Sequence, residues 1–389
     1  METQRINSID IVRGIVMLIM PLDHIRDLLH IDSLTQSPTD LSTTTPLLFF
    51  SRWITHFCAP IFVFLAGTSA QRFLAKQQNI SVAKNYLLKR GTYLIILEFL
   101  VVNFLIYFDP AFHNQLFEVI AAIGFGFICL AMLLRLDQKI ITLLGLFIVF
   151  LHGMFPLIPF GEQTLLKSIL SSLFGPSAVP LTSDRILIIA YAPLPWLGIM
   201  LLGFATGSLY ELEQSLRLKK LLRLGAVSIL LFFVFRVMNS YGDPSKWSTQ
   251  ANEVYTVLSF LNVSKYPPSL LFCLMTLGLM LLALAYFEKT RNRVSDFALV
   301  FGRVPLFFFL LHFLAIHVLL IAVLLFQGFS WQELSFSSGN FGRPKNVPSG
   351  VTLAYVLLIW PILIIALYPI CKWFGSIKQR NKSWWVSYL

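Results

Sequence analysis

Residues 9–29 read IDIVRGIVMLIMPLDHIRDLL, an apolar segment that is long enough to cross a bilayer, because a spanning helix needs about 20 residues. Charged or titratable side chains nevertheless occupy six of its positions: Asp10, Arg13, Asp23, His24, Arg26 and Asp27. A charge near the bilayer centre costs at least about 2.5–3.5 kcal/mol, so such residues normally face a protein interior or a wet cavity. The segment therefore predicts a first transmembrane helix whose polar side lines a functional site.

These polar residues form a stripe along the predicted helix. At about 100° per residue, Arg13 and His24 lie within about 20° of each other, and a rise of about 1.5 Å per residue separates them by about 16 Å along the axis. His30 follows just beyond the segment. The stripe therefore runs from near one membrane face to beyond the middle of the bilayer.

The composition is that of an integral membrane protein. Of the 389 residues, 57% are hydrophobic and 13% are charged, whereas a soluble domain carries about 25% charged residues. The formal charge of +11 lies mostly in short loops between apolar segments, as the positive-inside rule produces. We therefore expect a lipid bilayer and no nucleic acid as partner. The four cysteines have no CxxC spacing, so we expect neither a metal site nor a disulfide framework.

The apolar segments predict an all-α, polytopic helical bundle that forms a single domain over residues 1–389. The ten segments are 9–29, 48–71, 87–107, 115–135, 138–155, 187–210, 220–238, 268–287, 304–327 and 351–373. Lys and Arg are concentrated in alternate loops and in both termini, which predicts that the N- and C-termini are cytoplasmic. The first segment has no small-residue cleavage site, so we expect it to remain as the first helix of an inner-membrane protein.

Other polar residues occur near the outer ends of the predicted helices. Arg52 and His56 are four residues apart and share a helix face, where they could meet His24. Lys265 precedes a tyrosine and two prolines and could bind an anionic or sugar substrate. The alternatives are a surface arginine, a packed histidine and a lysine that snorkels to the interface.

Carboxylates also occur in two further segments. Glu98, with Asn103, lies in the third segment, and Glu118 opens the fourth. Carboxylates inside a membrane indicate function. A negative charge in a first helical turn also suits the helix dipole, which is the alternative for Glu118.

Gly302 and Arg303 lie at the cytoplasmic end of the ninth segment, directly before residue 304, where a helix is expected to start. Backbone N–H groups and a guanidinium at a helix start can bind phosphate, although an arginine is common at any cytoplasmic helix end. His312 lies about 14 Å further along the predicted helix. It is a candidate site residue or, alternatively, a core histidine.

Five stretches of the chain resemble the bacterial members of the heparan-α-glucosaminide N-acetyltransferase catalytic-domain family. They are RINSIDIVRGIVMLIMPLDHIRD, SRWITHFCAPIFVFLAGTSA, PLPWLGIMLLGFATG, LNVSKYPPSLLFCLMTLG and FGRVPLFFFLLH, in matching order along nearly the whole chain. The resemblance implies a fold related to transmembrane acyltransferases, which move an acetyl group from cytoplasmic acetyl-CoA to a sugar acceptor across the membrane. It also makes His24 the leading catalytic residue, with Asp23 or Asp27 as its orienting partner. His30 is the alternative reactive histidine.

The residues fit the same chemistry, because acyl transfer needs a general base near pH 7 and histidine is the usual one. The hypothesis is a transmembrane acetyltransferase whose donor phosphates bind Arg13, Gly302 and Arg303. Its saccharide or other small-molecule acceptor would bind the remaining candidates: Arg52, His56, Lys265 and His312. A second copy of the chain is a candidate partner. The alternative function is a proton-coupled transporter, because intramembrane clusters of Asp, His and Arg also form proton relays.

Overall fold

The computed structural model describes residues 6–157, 165–337, 339–381 and 383. Within these residues the helices are α1 (Asn7–Leu29), α2 (Pro46–Trp53), α3 (Cys58–Gln77), α4 (Ile80–Leu97), α5 (Asn103–Tyr107), α6 (Val119–Leu133), α7 (Gln138–Leu151), α8 (Leu165–Phe174), α9 (Pro193–Gly207), α10 (Gln214–Met238), α11 (Glu253–Leu261), α12 (Leu270–Lys289), α13 (Arg293–Gly302), α14 (Pro305–Phe326) and α15 (Leu353–Arg380). The strands are β1 (Asn114–Phe117), β2 (Ser177–Pro180) and β3 (Ile186–Ile189).

Eight helical stretches of the described residues are long and apolar enough to cross a membrane. Two of them are composite, because α2 continues through a 3₁₀ turn into α3 and α4 continues through a π-helical turn into α5. The other two predicted segments are also helical, but α1 carries too many charges to qualify and α6 has only 15 residues. The chain is therefore a nearly all-helical, multi-pass membrane protein. Ten spans with cytoplasmic termini remain a prediction.

A small three-stranded sheet is a departure from the all-α prediction within a chain that is otherwise nearly all-helical. β3 lies between the other two strands, parallel to β1 and antiparallel to β2, with Asn114 opposite Ile186 and Ser177 opposite Ile189. The predicted fourth and sixth segments began at residues 115 and 187, inside β1 and β3. A short apolar run does not distinguish a strand from the start of a helix. The sheet displaces the starts of α6 and α9 to Val119 and Pro193.

Helix α1 lies in the middle of the bundle, where it packs against α3, α12, α13, α14 and α15. Its charged residues Asp10, Asp23 and Arg26 are buried. The exposed side chains of the peripheral helices are instead apolar, for example Phe147 on α7 and Ile365 on α15. This arrangement satisfies the requirement that charge inside a membrane face protein.

Helices α1 and α15 run antiparallel. Val351, just before α15, donates its N–H to the Leu29 carbonyl at the end of α1, at 2.7 Å. The start of α1 and the end of α15 therefore lie at one end of the bundle, which we call the termini end. We call the opposite end, which carries the junction of Leu29 with Val351, the loop end.

Two glycines let α1 and α13 touch at the backbone near the termini end. A Cβ added to Gly14 would lie 1.9 Å from the Ala298 carbonyl oxygen, and one added to Gly302 would lie 1.8 Å from the Asp10 carbonyl oxygen. Gly302 is also the last residue of α13, and α14 begins at Pro305. Gly302 therefore ends one helix instead of opening the next, because the chain turns before the proline. A phosphate-binding role for Gly302 remains a prediction.

We expect Gly302→Ala to lower the free energy of unfolding by about 1–3 kcal/mol, the usual cost of overpacking a tight contact. The obstructing atom is backbone, so it cannot move aside by changing rotamer. The measurement is thermal unfolding of the detergent-purified protein, followed by tryptophan fluorescence. Gly375→Ala on α15 is the control, because its nearest non-local neighbour would be 3.8 Å away. Equal melting temperatures for the two variants would contradict the close crossing.

Candidate active site

The polar centre of the protein is built around the Asp23 carboxylate. The Arg52 guanidinium, on α2, donates to both carboxylate oxygens at 2.7 Å. The Thr55 hydroxyl donates at 2.6 Å from the 3₁₀ turn, and the Arg26 guanidinium donates from the next turn of α1. The Lys265 ammonium, in the loop before α12, lies 3.9 Å away. One buried carboxylate therefore ties together three separate stretches of the chain.

The groups around Asp23 carry more positive than negative charge. Arg26 also donates to Asp27 at 2.8 Å; the Arg26 side chain is 1% exposed and that of Asp27 is 43% exposed. Three cations, on Arg26, Arg52 and Lys265, thus face two carboxylates. A buried charge without a counter-charge is costly. We therefore expect a further negative charge close to this cluster.

His24 lies beside the cluster and against α14. Its ring centroid is 5.2 Å from that of His312 and 4.2 Å from that of Phe313. The His312 Nδ1 atom is 3.1 Å from the Phe308 carbonyl oxygen. A carbonyl only accepts, so Nδ1 carries the proton and Nε2 keeps its lone pair. That Nε2 atom is buried and has no hydrogen-bond partner within the described residues. The two histidines thus provide adjacent imidazoles in the protein interior.

Arg52 and His56 do not share a regular α-helix, because α2 ends at Trp53 and a 3₁₀ turn follows. The turn still directs both side chains towards α1. His56 is 3% exposed, and its ring contacts Phe272 with centroids 5.5 Å apart. It lies close enough to Arg52 and Asp23 to interact with them electrostatically. The structure therefore brings both predicted residues to the Asp23 cluster.

Lys265 reaches the cluster because its loop is held by the Asp243 carboxylate. The Ser264 N–H donates to Asp243 at 2.8 Å, and the Ser269 hydroxyl donates at 2.5 Å. The Lys265 ammonium also lies over the ring of Tyr266, 5.0 Å from its centroid. Lys265 is 7% exposed, so it points into the protein rather than snorkelling to the surface.

A second anchor of this loop is the buried guanidinium of Arg236 on α10. Its three nitrogens donate at 2.8 Å to backbone carbonyls of Ser245, Ser259, Phe260 and Asn262. All four acceptors belong to the segment between α10 and α12. Arg236 therefore fixes the course of the chain that carries Lys265.

His30 lies at the edge of this cluster, because its backbone N–H donates to the Arg26 carbonyl at 3.0 Å and its ring is close enough to Arg26 to interact with it electrostatically. Its backbone pairs with Val351, and its carbonyl accepts a hydrogen bond of 2.9 Å from Arg343. The Arg343 guanidinium also donates to the Ile31 carbonyl and to the Ser33 hydroxyl, each at 2.9 Å. His30 thus belongs to the junction between α1 and the loop before α15. The structure does not bring it beside His24.

A cavity of about 330 Å³ opens beside Arg13 at the other end of the polar stripe. Arg13 pairs with Asp10 at 3.0 Å and donates to the Ser69 hydroxyl at 3.3 Å. Arg90 on α4 also lines the cavity. The rest of the wall is largely apolar and includes Met17, Phe62, Leu94, Val119, Ile120 and Phe309. Two guanidiniums on an apolar cavity suit a molecule that has phosphates and a long uncharged arm.

Arg303 follows the contact between Gly302 and α1, so it is held at the same end of the bundle as Arg13. Its Nε atom is buried and without a hydrogen-bond partner in the part of the chain that is described. Arg303 does not line the cavity. It precedes by two residues Pro305, which does line the cavity.

Several site residues were not predicted from the sequence. Thr55 falls inside the predicted second segment and Arg90 inside the third, and neither residue was a candidate. Tyr191 faces Lys265, with the ammonium 6.0 Å from its ring centroid. The only local feature of the sequence that could have indicated a role for Tyr191 is its position beside the prolines before α9. Among the described residues, no group of three or more His, Cys, Asp or Glu is arranged to hold a metal ion.

The family model described as heparan-alpha-glucosaminide N-acetyltransferase, catalytic, matches residues 5–237, which is more than half of the chain. The matched range contains Arg13, Asp23 and His24, and it ends within α10. Lys265 and His312 lie outside it. No curated protein matches the chain.

Proposed function

Because the chain belongs to the heparan-α-glucosaminide N-acetyltransferase catalytic family, we propose that it transfers an acetyl group from cytoplasmic acetyl-CoA to a saccharide or other cell-envelope acceptor on the outer side of the plasma membrane. The family makes it a membrane acetyltransferase. Our proposal goes further in three respects: the identity of the donor, the kind of acceptor, and the direction of acetyl transfer across the membrane. It also includes ten spans and cytoplasmic termini.

The observation that carries the proposal is the arrangement of the two sites along α1. The arginine-lined cavity lies at the termini end, and the His24–Asp23 cluster lies about 16 Å further along the same helix. The phosphates of acetyl-CoA would bind Arg13 and Arg90, with Arg303 at the mouth. Its uncharged pantetheine arm would then extend along the apolar wall towards His24.

The cluster has the groups that acyl transfer requires. His24 can take the proton of an acceptor hydroxyl or amine as the general base. Asp23 and Asp27 are close enough to stabilise the imidazolium that forms. The Lys265 ammonium can stabilise negative charge that develops on the carbonyl oxygen. We therefore assign Arg52, His56, Lys265 and His312 to the acceptor and the acyl group, rather than to the donor phosphates.

The direct test is acetyl transfer by the protein purified into lipid nanodiscs. We expect radiolabelled acetyl-CoA to release CoA only when a suitable acceptor is present, and the acceptor to become labelled. Solute uptake by proteoliposomes tests the alternative function, a proton-coupled transporter. Movement of solute with a proton gradient and without acetyl-CoA would instead support the transporter.

We expect Arg13→Gln to raise the KM for acetyl-CoA about tenfold, because a hydrogen bond to a charged group contributes about 1.5–3 kcal/mol. The kcat should change much less, since Arg13 lies far from His24. Steady-state kinetics in nanodiscs measure both. Arg223→Gln is the matched control, because Arg223 is exposed on α10. An unchanged KM in Arg13→Gln would remove this cavity from donor binding.

A further inference from the structure

The cavity beside Arg13 has a polar mouth and an apolar inner end. Helix α14 starts three residues after the contact between Gly302 and α1, so α1 and α14 both run from the termini end towards the loop end. Arg13 on α1 and Pro305 on α14 therefore lie at the mouth. The lining residues nearest the loop end are all apolar, and we call them the inner end: Met17, Phe62, Leu94, Val119, Ile120 and Phe309.

The inner end is enclosed by protein. Met17, Leu94 and Phe309 are 3%, 4% and 2% exposed, and Val119 is also buried. At the mouth, by contrast, Tyr86 is 36% exposed. A ligand therefore enters past the arginines and places an uncharged group at the inner end, because a polar group buried there without a hydrogen bond would be costly.

One layer of aromatic rings separates the inner end from His24. The Phe309 ring lines the cavity, and its centroid is 5.2 Å from that of Phe313 and 5.5 Å from that of His312. The His24 ring contacts the same two rings, with centroids 4.2 Å from Phe313 and 5.2 Å from His312. A group that packs on Phe309 from the cavity therefore lies one ring away from the proposed base.

The Phe309 ring is held in place by its own helix. Residues three and four apart share a helix face, so His312 and Phe313 pack on Phe309 along α14. Both contacts are edge-to-face, with interplanar angles of 62° and 70°, which is a favoured geometry for aromatic rings. Met17, which also lines the inner end, is a flexible side chain that adapts to its neighbours. Phe309 is therefore the rigid part of this wall.

The cavity ends short of His24. Met17 is the last residue of α1 that lines it, and His24 follows seven residues later, on the same helix face and about 10 Å further along the axis. A donor whose phosphates bind Arg13 and Arg90 would place the far end of its arm, which carries the acyl group, against Phe309. A longer acyl group would have to displace this ring or hold the thioester further from His24.

We propose that the inner end is the pocket for the acyl group of the donor, and that Phe309 limits this group to a short, uncharged one such as acetyl. The inference rests on the proposed acetyltransferase function. One methylene in an apolar pocket changes transfer by about 10–200-fold, so a single ring is sufficient for selection. A carboxylate on the acyl group would be buried without a counter-charge, which is costly at any chain length.

The test compares acetyl-CoA, butyryl-CoA and succinyl-CoA as donors for the wild type and for Phe309→Ala. We expect the wild-type kcat/KM to be at least about tenfold higher for acetyl-CoA than for butyryl-CoA, and Phe309→Ala to lose this preference. The succinyl group has as many carbons as the butyryl group but carries a charge, so both proteins should discriminate against it.

Phe127→Ala is the matched control. Phe127 is buried and lines the same cavity, but it lies about 12 Å from Val119 along α6, away from the inner end. The substitution removes the same number of atoms as Phe309→Ala and should keep the wild-type preference for acetyl-CoA.

A binding measurement examines the pocket without turnover. The thioethers S-ethyl-CoA and S-butyl-CoA have the chain lengths of the acetyl and butyryl donors but have no acyl group to transfer. In calorimetric titrations of the protein in nanodiscs, we expect the wild-type Kd to be at least about tenfold lower for S-ethyl-CoA. The two Kd values should be similar in Phe309→Ala. Phe309→Leu removes fewer atoms, so it should fold even if Phe309→Ala does not, and it should give an intermediate ratio.

The outcomes distinguish the pocket from the enzymatic function. A wild-type Kd ratio that the Phe309 variants leave unchanged would overturn the acyl pocket, and so would equal binding of both thioethers by the wild type. Use of succinyl-CoA as readily as butyryl-CoA by Phe309→Ala would overturn its selection against charge. Binding of neither thioether would overturn the donor site together with the pocket. A wild type that shows the expected Kd ratio but does not turn over acetyl-CoA would overturn the acetyltransferase function instead.

Discussion

Replacing Asp23 with Asn should abolish measurable transfer and also destabilise the protein. The carboxylate is the direct partner of Arg26, Arg52 and Thr55, and it lies 3.9 Å from Lys265. The asparagine amide keeps the shape of the aspartate side chain but removes its negative charge, so the buried cations are left without enough counter-charge. Removing one partner from a buried ion pair costs about 3–5 kcal/mol. We therefore expect a strongly lowered melting temperature, and at least a hundredfold loss of kcat/KM in the folded fraction.

Asp27→Asn is the matched control for this substitution. Asp27 is on the same helix and contacts Arg26, but its side chain is 43% exposed. Water can replace part of the contact of this half-exposed carboxylate with Arg26, so the melting temperature should fall clearly less than in Asp23→Asn. Melting temperatures of both variants in the same nanodiscs distinguish the contribution of Asp23 to stability from that of Asp27. Equal loss of stability in Asp23→Asn and Asp27→Asn would show that Asp23 is not the centre of the cluster.

The sequence was sufficient to predict where the long apolar helices lie, whereas the shorter α11 and α13 fall in stretches that were predicted as loops. Long apolar segments have few alternatives in a membrane, because a spanning segment must satisfy its own backbone hydrogen bonds. The strands β1 and β3 were missed because each is a four-residue run next to a helix. Their pairing joins residues about 70 positions apart, and local patterns carry no information about such contacts.

The residues of the candidate site were easier to predict than their partners. Arg52 and Lys265 were identified as charges at the ends of apolar segments, and the structure brings both to Asp23. The role of Asp23 as their common acceptor depends on how α2 and the loop before α12 fold onto α1. Periodicity along one helix does not determine this packing. The same limit explains why Arg90, which lies in the third predicted segment, was not a candidate.

The choice between His24 and His30 could not be made from the sequence, because both lie towards the end of the same apolar segment and both are near carboxylates. The structure separates them at Leu29. His24 is still on α1 and faces α14, whereas the chain at His30 leaves the helix and pairs with Val351. The contacts of His30 are therefore those of a structural junction. We therefore expect substitution of His24 to lower kcat strongly and substitution of His30 to change it little.

We expect His24→Gln to lower kcat at least about 10³-fold, because it removes the only imidazole that faces both the Asp23 cluster and His312 within the described residues. General acid–base catalysis contributes about 10²–10⁴-fold, so such a loss identifies the base. The KM for acetyl-CoA should stay nearly constant, since the proposed site for the donor phosphates, at Arg13, is about 16 Å away along α1. The measurement is the initial rate of CoA release with saturating donor and acceptor.

His30→Gln is the matched comparison and should keep kcat within about threefold of the wild type. Its contact with Arg343 is made by the backbone carbonyl, which glutamine retains. The double variant should then behave like His24→Gln alone, because in the proposed mechanism only His24 takes part in the reaction. A large loss in His30→Gln with an active His24→Gln would assign the reaction to the junction near Val351. Full activity in both single variants and the double variant would remove α1 from the chemistry.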